Sequence, residues 1–237
     1  MNQGDSLPPR QIPLSLPHRP ALDRADFLTG TSNAKAIGLI DRWPDWHSNN
    51  VLLAGPAGSG KSHLVEVWRA ASGAEAIAAS ALTSGGAEAL LANRALAVED
   101  LHAGPINEAA LFHVLNLAAE RRATVLMTSR VWPAALPLRL VDLSSRLRAA
   151  QPVELGEPDD DLLGRVITKL FADRQLTVDR AVISFIANRM ERSLEAANLI
   201  VERLDKEALA QGRAITVHFA AGALAPFLDH HPDLWSS

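Results

Sequence analysis

Apolar residues follow two rhythms along this chain, and the change falls near residue 155. Before it, short apolar runs at 51–55, 74–82, 95–98, 124–128 and 152–155 alternate with stretches of helical spacing. The clearest helix covers 108–121, where Ala110, Leu111, Val114, Leu115, Leu117 and Ala118 carry the apolar face. An earlier helix is predicted from Ser32 or Asn33, with Ala36, Ile37, Leu39, Ile40 and Trp43 apolar and Pro44 ending it. Buried strands alternating with helices predict an α/β fold, a parallel sheet with helices on both faces.

Past Leu155 the pattern becomes helical. Gly156-Glu157-Pro158 breaks the chain, and Asp159, Asp160 and Asp161 suit the positive end of a helix dipole. Leu162, Leu163, Val166, Ile167, Leu170 and Phe171 form a first stripe. Val182, Ile183, Phe185 and Ile186 form a second, and Leu194, Ala197, Val201, Leu204 and Ala208 a third. The longest strand-like run there is Ile215-Thr216-Val217. At the other end, Pro8, Pro9, Pro13, Pro17 and Pro20 forbid a continuous helix and favour an extended arm.

Composition mainly excludes. At 237 residues the chain suits one large domain or two small ones, on a prior of about 150 residues each. It has no cysteine, so disulfides, thiolate metal sites and cysteine nucleophiles are all ruled out. A net charge of −4 argues against a stand-alone DNA-binding protein, while leaving room for a local basic patch. Residues 156–237 carry nine Lys/Arg against thirteen Asp/Glu, so that part is no basic nucleic-acid module. With no apolar run of membrane-spanning length and no leader pattern, the chain reads as cytoplasmic, without membrane contact.

The strongest chemical signal is Gly55-Pro56-Ala57-Gly58-Ser59-Gly60-Lys61-Ser62, between a predicted strand and a predicted helix. Glycines let successive backbone N–H groups turn inward on phosphate oxygens, and the following helix adds its dipole. Lys61 brings a cation to the β/γ-phosphates and the Ser62 hydroxyl is a Mg²⁺ ligand. A P-loop also needs an acid at the end of a neighbouring strand, and Ala95-Leu96-Ala97-Val98 ends in Glu99-Asp100. The usual order is Asp-Glu. The sequence therefore leaves open which carboxylate serves the metal and which polarises water, with Glu99 taken alongside Ser62 as the metal pair. The expected cofactor is ADP or ATP with Mg²⁺.

This ordered set of motifs resembles the AAA+ ATPases, and among them the DnaA family of replication initiators. Asp26-Phe27-Leu28-Thr29-Gly30 with Ser32-Asn33 is similar to the family's segment before the P-loop, which implies that Phe27 and Leu28 line the adenine pocket. His63 stands where such proteins often carry a histidine, and reads as a packing residue. Val125-Leu126-Met127-Thr128-Ser129 resembles the sensor-1 strand, and Asp142-Leu143-Ser144-Ser145-Arg146-Leu147 the arginine-finger segment, with Arg146 as the finger. Glu191-Arg192-Ser193-Leu194-Glu195-Ala196 resembles the sensor-2 helix, with Arg192 over the nucleotide. Arg130 departs from the family, which has Asp or Asn there to orient water. The resemblance covers about residues 21–228. It implies an arm over 1–20, a nucleotide-binding α/β domain over 21–155 and a small all-α lid domain over 156–237.

No basic helix-turn-helix follows the lid, a layout similar to regulators of this family that inactivate the initiator. Gln11-Ile12-Pro13-Leu14-Ser15-Leu16 resembles their motif for the DNA polymerase sliding clamp, with Gln11, Ile12, Leu14 and Leu16 as anchors. The resemblance implies a negative regulator of replication initiation. It would dock on the sliding clamp, meet DNA only indirectly through it, and offer Arg146 in trans to ATP held by DnaA. Its own ATPase activity is brought into question by Arg130. Self-association is left open, and nucleoid association would follow from the clamp. The rival expectation is an autonomous AAA+ ATPase, a helicase loader or DNA-remodelling factor. The tryptophans, Trp132 and Trp235 among them, read as core or rim residues.

Overall fold

The structure, a computed structural model, describes residues 23–228 and Leu234. Five parallel strands, β1 (Asn50–Ala54), β2 (Glu75–Ala78), β3 (Ala95–Glu99), β4 (Thr124–Ser129) and β5 (Gln151–Glu154), form one sheet in the order β2-β3-β4-β1-β5. The helices among them are α1 (Ala34–Ile40), α2 (Lys61–Ser72), α3 (Ala87–Leu90), α4 (Glu108–Arg121) and α5 (Val141–Ala149). Four more follow: α6 (Asp160–Asp173), α7 (Arg180–Ala187), α8 (Leu194–Gln211) and α9 (Val217–Leu228).

Strand periodicity divides the sheet's side chains between two cores. Leu52, Leu96, Val98, Val125 and Met127 pack with Leu111, Leu115, Leu143 and Leu147 of α4 and α5. Val51, Leu53, Ala97 and Leu126 pack on the other face with Ile37, Leu39, Leu64 and Trp68 of α1 and α2. Trp46 stacks on Trp68 at 5.6 Å, and Trp43 meets it edge-on at 6.4 Å. A third core, around Ile167, Phe171, Ile186, Ile200 and Phe219, belongs to the last four helices. The chain is thus α/β, with a largely helical C-terminal part.

Three expectations need adjusting. α1 stops at Ile40 rather than Pro44, because the Leu39 and Ile40 carbonyls take the amides of Arg42 and Trp43 in three-residue turns, and the Trp46 indole also donates to Leu39. Only 75–78 of the 74–82 run pairs with β3; residues 79–81 turn into a 3-10 helix. Ile215-Thr216-Val217 is not a strand: the Thr216 hydroxyl accepts from the Phe219 amide and starts α9 at Val217. Trp132 is a rim residue, 42% exposed, whereas Trp235 lies outside the described residues.

Candidate functional site

The strand order sets β1 between β4 and β5, so the loop leaving β1 is held from both sides. The Gly55 amide donates to the Ser129 carbonyl (3.2 Å), and the Leu155 amide donates to Ala54 (2.8 Å). Gly55 has no room for a side chain: a Cβ would lie 2.2 Å from the Leu155 carbonyl oxygen. Gly58 and Gly60 have left-handed backbones, φ 65° and 98°, which let the loop curl into the start of α2. Such a wrapped, glycine-rich turn at a helix N-terminus fits a polyphosphate.

Lys61 is buried, 8% exposed, with Nζ donating to the Gly55 carbonyl (2.8 Å), the Pro56 carbonyl (2.6 Å) and the Ser59 hydroxyl (3.4 Å). Burial pulls its pKa below the ordinary lysine value, the Arg130 charge pulls the same way, and Asp100 opposes both. A cation held by carbonyl dipoles rather than a carboxylate stays open to an anionic ligand. Beside it, burial raises the Glu99 carboxyl, while the Ser62 hydroxyl favours its ionised form. Ser62 and Glu99 together offer the kind of oxygen donors that suit Mg²⁺, which typically keeps one or two protein oxygens and completes its shell with phosphate and water. Among the described residues no three His, Asp or Glu side chains form a metal cage of their own.

Asp100 turns sharply off β3 with φ 61°, its amide donating to the Thr128 hydroxyl (2.9 Å). The next amide, Leu101, donates to the Thr128 carbonyl, also at 2.9 Å. Arg130 is pinned through its own amide, which donates to His102 Nδ1 (3.2 Å). Lys61, Ser62, Asp100 and Arg130 then share a cavity of about 460 Å³ with Leu194 and Asn198 of α8.

Arg192 lies elsewhere. It lines a second cavity, across Ala57, with Pro56, Glu157 and Glu191, and its Nη2 pairs with Asp160 Oδ1 at 2.9 Å. Phe27 is buried and meets the His63 ring edge-on at 5.0 Å, so His63 turns toward the segment before the loop rather than outward. Burial lowers the His63 pKa, against a hydrogen bond to the Asp23 backbone carbonyl that raises it. The Leu28 carbonyl accepts from Asn33 Nδ2 (3.0 Å), and Asn33 Oδ1 accepts from the Gly30 amide (2.8 Å). Asn33, buried, thus fixes the shape of the segment that carries Phe27 and Leu28. Arg146 is on α5, outside both cavities, its guanidinium 5.4 Å from the Phe112 ring centroid. Gln11, Ile12, Leu14 and Leu16 lie outside the described residues.

Sequence reading also missed how the last four helices grip the rest. The Leu194 amide donates to the Gly58 carbonyl (2.8 Å). Arg165 Nη2 donates to the Thr29 carbonyl (2.9 Å), Lys169 pairs with Asp26 (2.7 Å), and the Thr31 hydroxyl donates to Asp159 (2.7 Å). These contacts cross more than a hundred residues of sequence, and no periodicity signals them.

Sheet, loop and appended helices define the AAA+ fold. Domain III of the Thermotoga maritima replication initiator DnaA superposes with a TM-score of 0.74 at 17% identity, over 90% of this chain and 99% of that one. AMPPCP-bound DnaA from Aquifex aeolicus gives 0.63 at 18% identity, over 82% and 67%. A variant of Thermotoga maritima RuvB gives 0.65 at 18%, over 81% and 67%. Residues 164–224 match the family model described as Hda, lid domain. The fold is thus the one shared by these AAA+ proteins, and the segment 164–224 is similar to the Hda lid domain. Among the described residues no helix is long and apolar enough to cross a membrane.

Proposed function

We propose that this protein is an Hda-like negative regulator of replication initiation. It binds ADP or ATP with Mg²⁺ at the phosphate loop, docks on the sliding clamp through Gln11 to Leu16, and supplies Arg146 to ATP held by DnaA. The observation that carries this reading is the separation of Arg146 from the chain's own phosphate loop: it stands on α5, outside the cavity of Lys61, its guanidinium over the Phe112 ring. A guanidinium that cannot serve its own site is available to a neighbour's. There its planar fork would neutralise charge on the transferring phosphoryl group, an effect worth ~10³–10⁵ in rate in GTPases.

At the chain's own site, bound nucleotide would supply the phosphate oxygens that complete the Mg²⁺ shell. Lys61 and the loop amides bind and orient, and Ser62 and Glu99 hold the metal. Arg130 offers no acceptor with which to align a water, which supports nucleotide serving as a ligand rather than a substrate. The second reading, an autonomous ATPase, draws on Glu99 and Asp100 lying at the end of β3 beside Ser62 and Lys61.

One assay separates them. With DNA-loaded clamp and DnaA–ATP, the wild type accelerates hydrolysis of the DnaA-bound ATP, while Arg146→Ala does not and Arg146→Lys recovers little. Turnover that is equal for wild type, Arg146→Ala and no added protein overturns the reading. Hydrolysis by this protein alone, lost in Glu99→Gln or Asp100→Asn, establishes the other.

A further inference from the structure

At the opposite ends of the strands from the phosphate loop, Arg94, Arg121 and Arg122 line one open cavity of about 580 Å³. Arg94 leads directly into β3, and Arg122 stands two residues before β4, with which β3 pairs. The Thr124 amide donates to the Arg94 carbonyl at 2.9 Å, which ties the two lead-ins together. Neighbouring strands lie about 5 Å apart, so the arginines spring from adjacent points of a rigid sheet rim.

Two of the three occupy conformations that arginine enters at a cost. Arg94 has φ 55° and Arg122 φ 52°, left-handed positions that glycine or asparagine fills more readily. Arg122 is the C-cap of α4, and the helix dipole gives a local reason for cations there. That reason does not extend to Arg94. Among the described residues neither Arg94 nor Arg122 has an ion-pair partner, whereas Arg121 reaches Glu88 at 3.6 Å. One carboxylate, Glu120, shares the cavity. In a chain of net charge −4, unpaired guanidiniums on strained backbone at one rim ask for an external anion.

We infer that Arg94, Arg121 and Arg122 form a contact site for the phosphate backbone of duplex DNA. The guanidinium fork accepts phosphate or carboxylate alike, but a duplex carries a charge about every 1.7 Å of axis and so engages several arginines at once. Preferring the duplex to an acidic protein rests on the proposed function, in which the chain works beside clamped DNA. The site then adds a direct, sequence-independent contact to the link made through the clamp. It is separate from the phosphate loop, being at the other end of the sheet.

The test is fluorescence anisotropy of a labelled duplex titrated with the full chain across a salt series, with neither clamp nor DnaA present. Its outcome is therefore independent of whether the trans-hydrolysis reading stands. In the double variant Arg94→Gly/Arg122→Gly, duplex affinity at low salt falls at least tenfold. The slope of log K against log salt becomes shallower by about 1.8, since each phosphate contact contributes about 0.9. Because glycine suits both left-handed backbones, that relief offsets its greater unfolded-chain entropy and the variant's melting temperature stays near the wild type's, so loss of binding is not loss of fold. Unchanged affinity and slope overturn the proposal. So does binding of inorganic phosphate, followed by calorimetry, that vanishes in the variant while duplex binding persists, for then the site takes a free ion. If Lys61→Ala abolishes duplex binding instead, the DNA sits on the phosphate loop and the proposal fails.

Discussion

The carbonyl of Gly58, inside the phosphate loop, accepts a hydrogen bond from the amide of Leu194, the first residue of α8, across 2.8 Å. The first amides of a helix have no partner within it. Here one of them is satisfied by the loop itself, so loop shape and lid position depend on each other. The Ser193 hydroxyl lies over the same glycine: a Cβ at Gly58 would sit 1.8 Å from its oxygen.

Gly58→Ala therefore has to move the lid as well as strain a backbone of φ 65°. We expect a loss of about 1–3 kcal/mol, read as a lower melting temperature, together with weaker nucleotide binding. Ser193→Ala alone removes the cap that the hydroxyl makes to the Ala196 amide, at about 1 kcal/mol. The double variant should lose less than the two losses combined, because the second change removes the nearest clashing atom, although the Cβ at 193 still lies 2.8 Å away. Strict additivity in thermal melts would contradict this geometry.

Lys61→Ala should abolish or sharply weaken binding of ADP in calorimetry while leaving the sheet intact. The pH dependence follows from the same residue. Phosphate needs the charged amine, and burial has moved its pKa downward, so in the free protein that charge is lost at lower pH than for an ordinary lysine. Affinity measured at rising pH should fall early. Equal binding by wild type and Lys61→Ala would remove the loop from consideration as a nucleotide site.

Glu99 makes the opposite prediction for stability. Its folded pKa is raised, chiefly by burial, so its favourable contribution is complete at low pH, where the carboxyl is protonated in both states. That contribution fades as pH rises from the ordinary glutamate range through the folded value. Glu99→Gln should accordingly raise the melting temperature of the nucleotide-free protein near neutrality, and the gain should shrink on acidification. A gain independent of pH would point to packing instead.

Replacing Gln11, Leu14 and Leu16 together by alanine should eliminate clamp binding in surface plasmon resonance and leave the melt of the folded core unchanged. Extended peptides bind through a few side-chain anchors, so losing three removes most of the affinity. Unchanged affinity would reduce the hexapeptide to a tail.

How much of this could be read from the chain depends on whether the signal is local. The turn Gly55-Pro56-Ala57-Gly58-Ser59-Gly60-Lys61-Ser62 could be read because each glycine answers a nearby steric demand. The helix over 108–121 matched α4, since five buried positions repeat on one face. α3 has four residues and α5 buries only Leu143 and Leu147, too little for a period to show. Asn33 is the N-cap of α1, where the sequence places a helix start, but its side chain turns back to organise the preceding turn, through contacts within five residues. Arg192 shows the limit most clearly. Its motif was evident, but its pairing with Asp160 depends on how α6 and α8 pack, which three-dimensional closure alone decides.

Asp159 has a consequence of its own. Its carboxylate starts α6 by accepting from the Leu162 amide (2.8 Å), and it also receives the Thr31 hydroxyl from the segment before the phosphate loop (2.7 Å). The Leu162 amide first, and Thr31 after it, hold its pKa below the usual aspartate range. Such a group stabilises the folded chain above its unfolded pKa and ceases to as pH falls through the folded one. A single proton arriving at Asp159 thus weakens two contacts at once, the cap on the first turn of α6 and the bond from Thr31, 128 residues away. The molecule carries an acid fuse at the joint between its two parts.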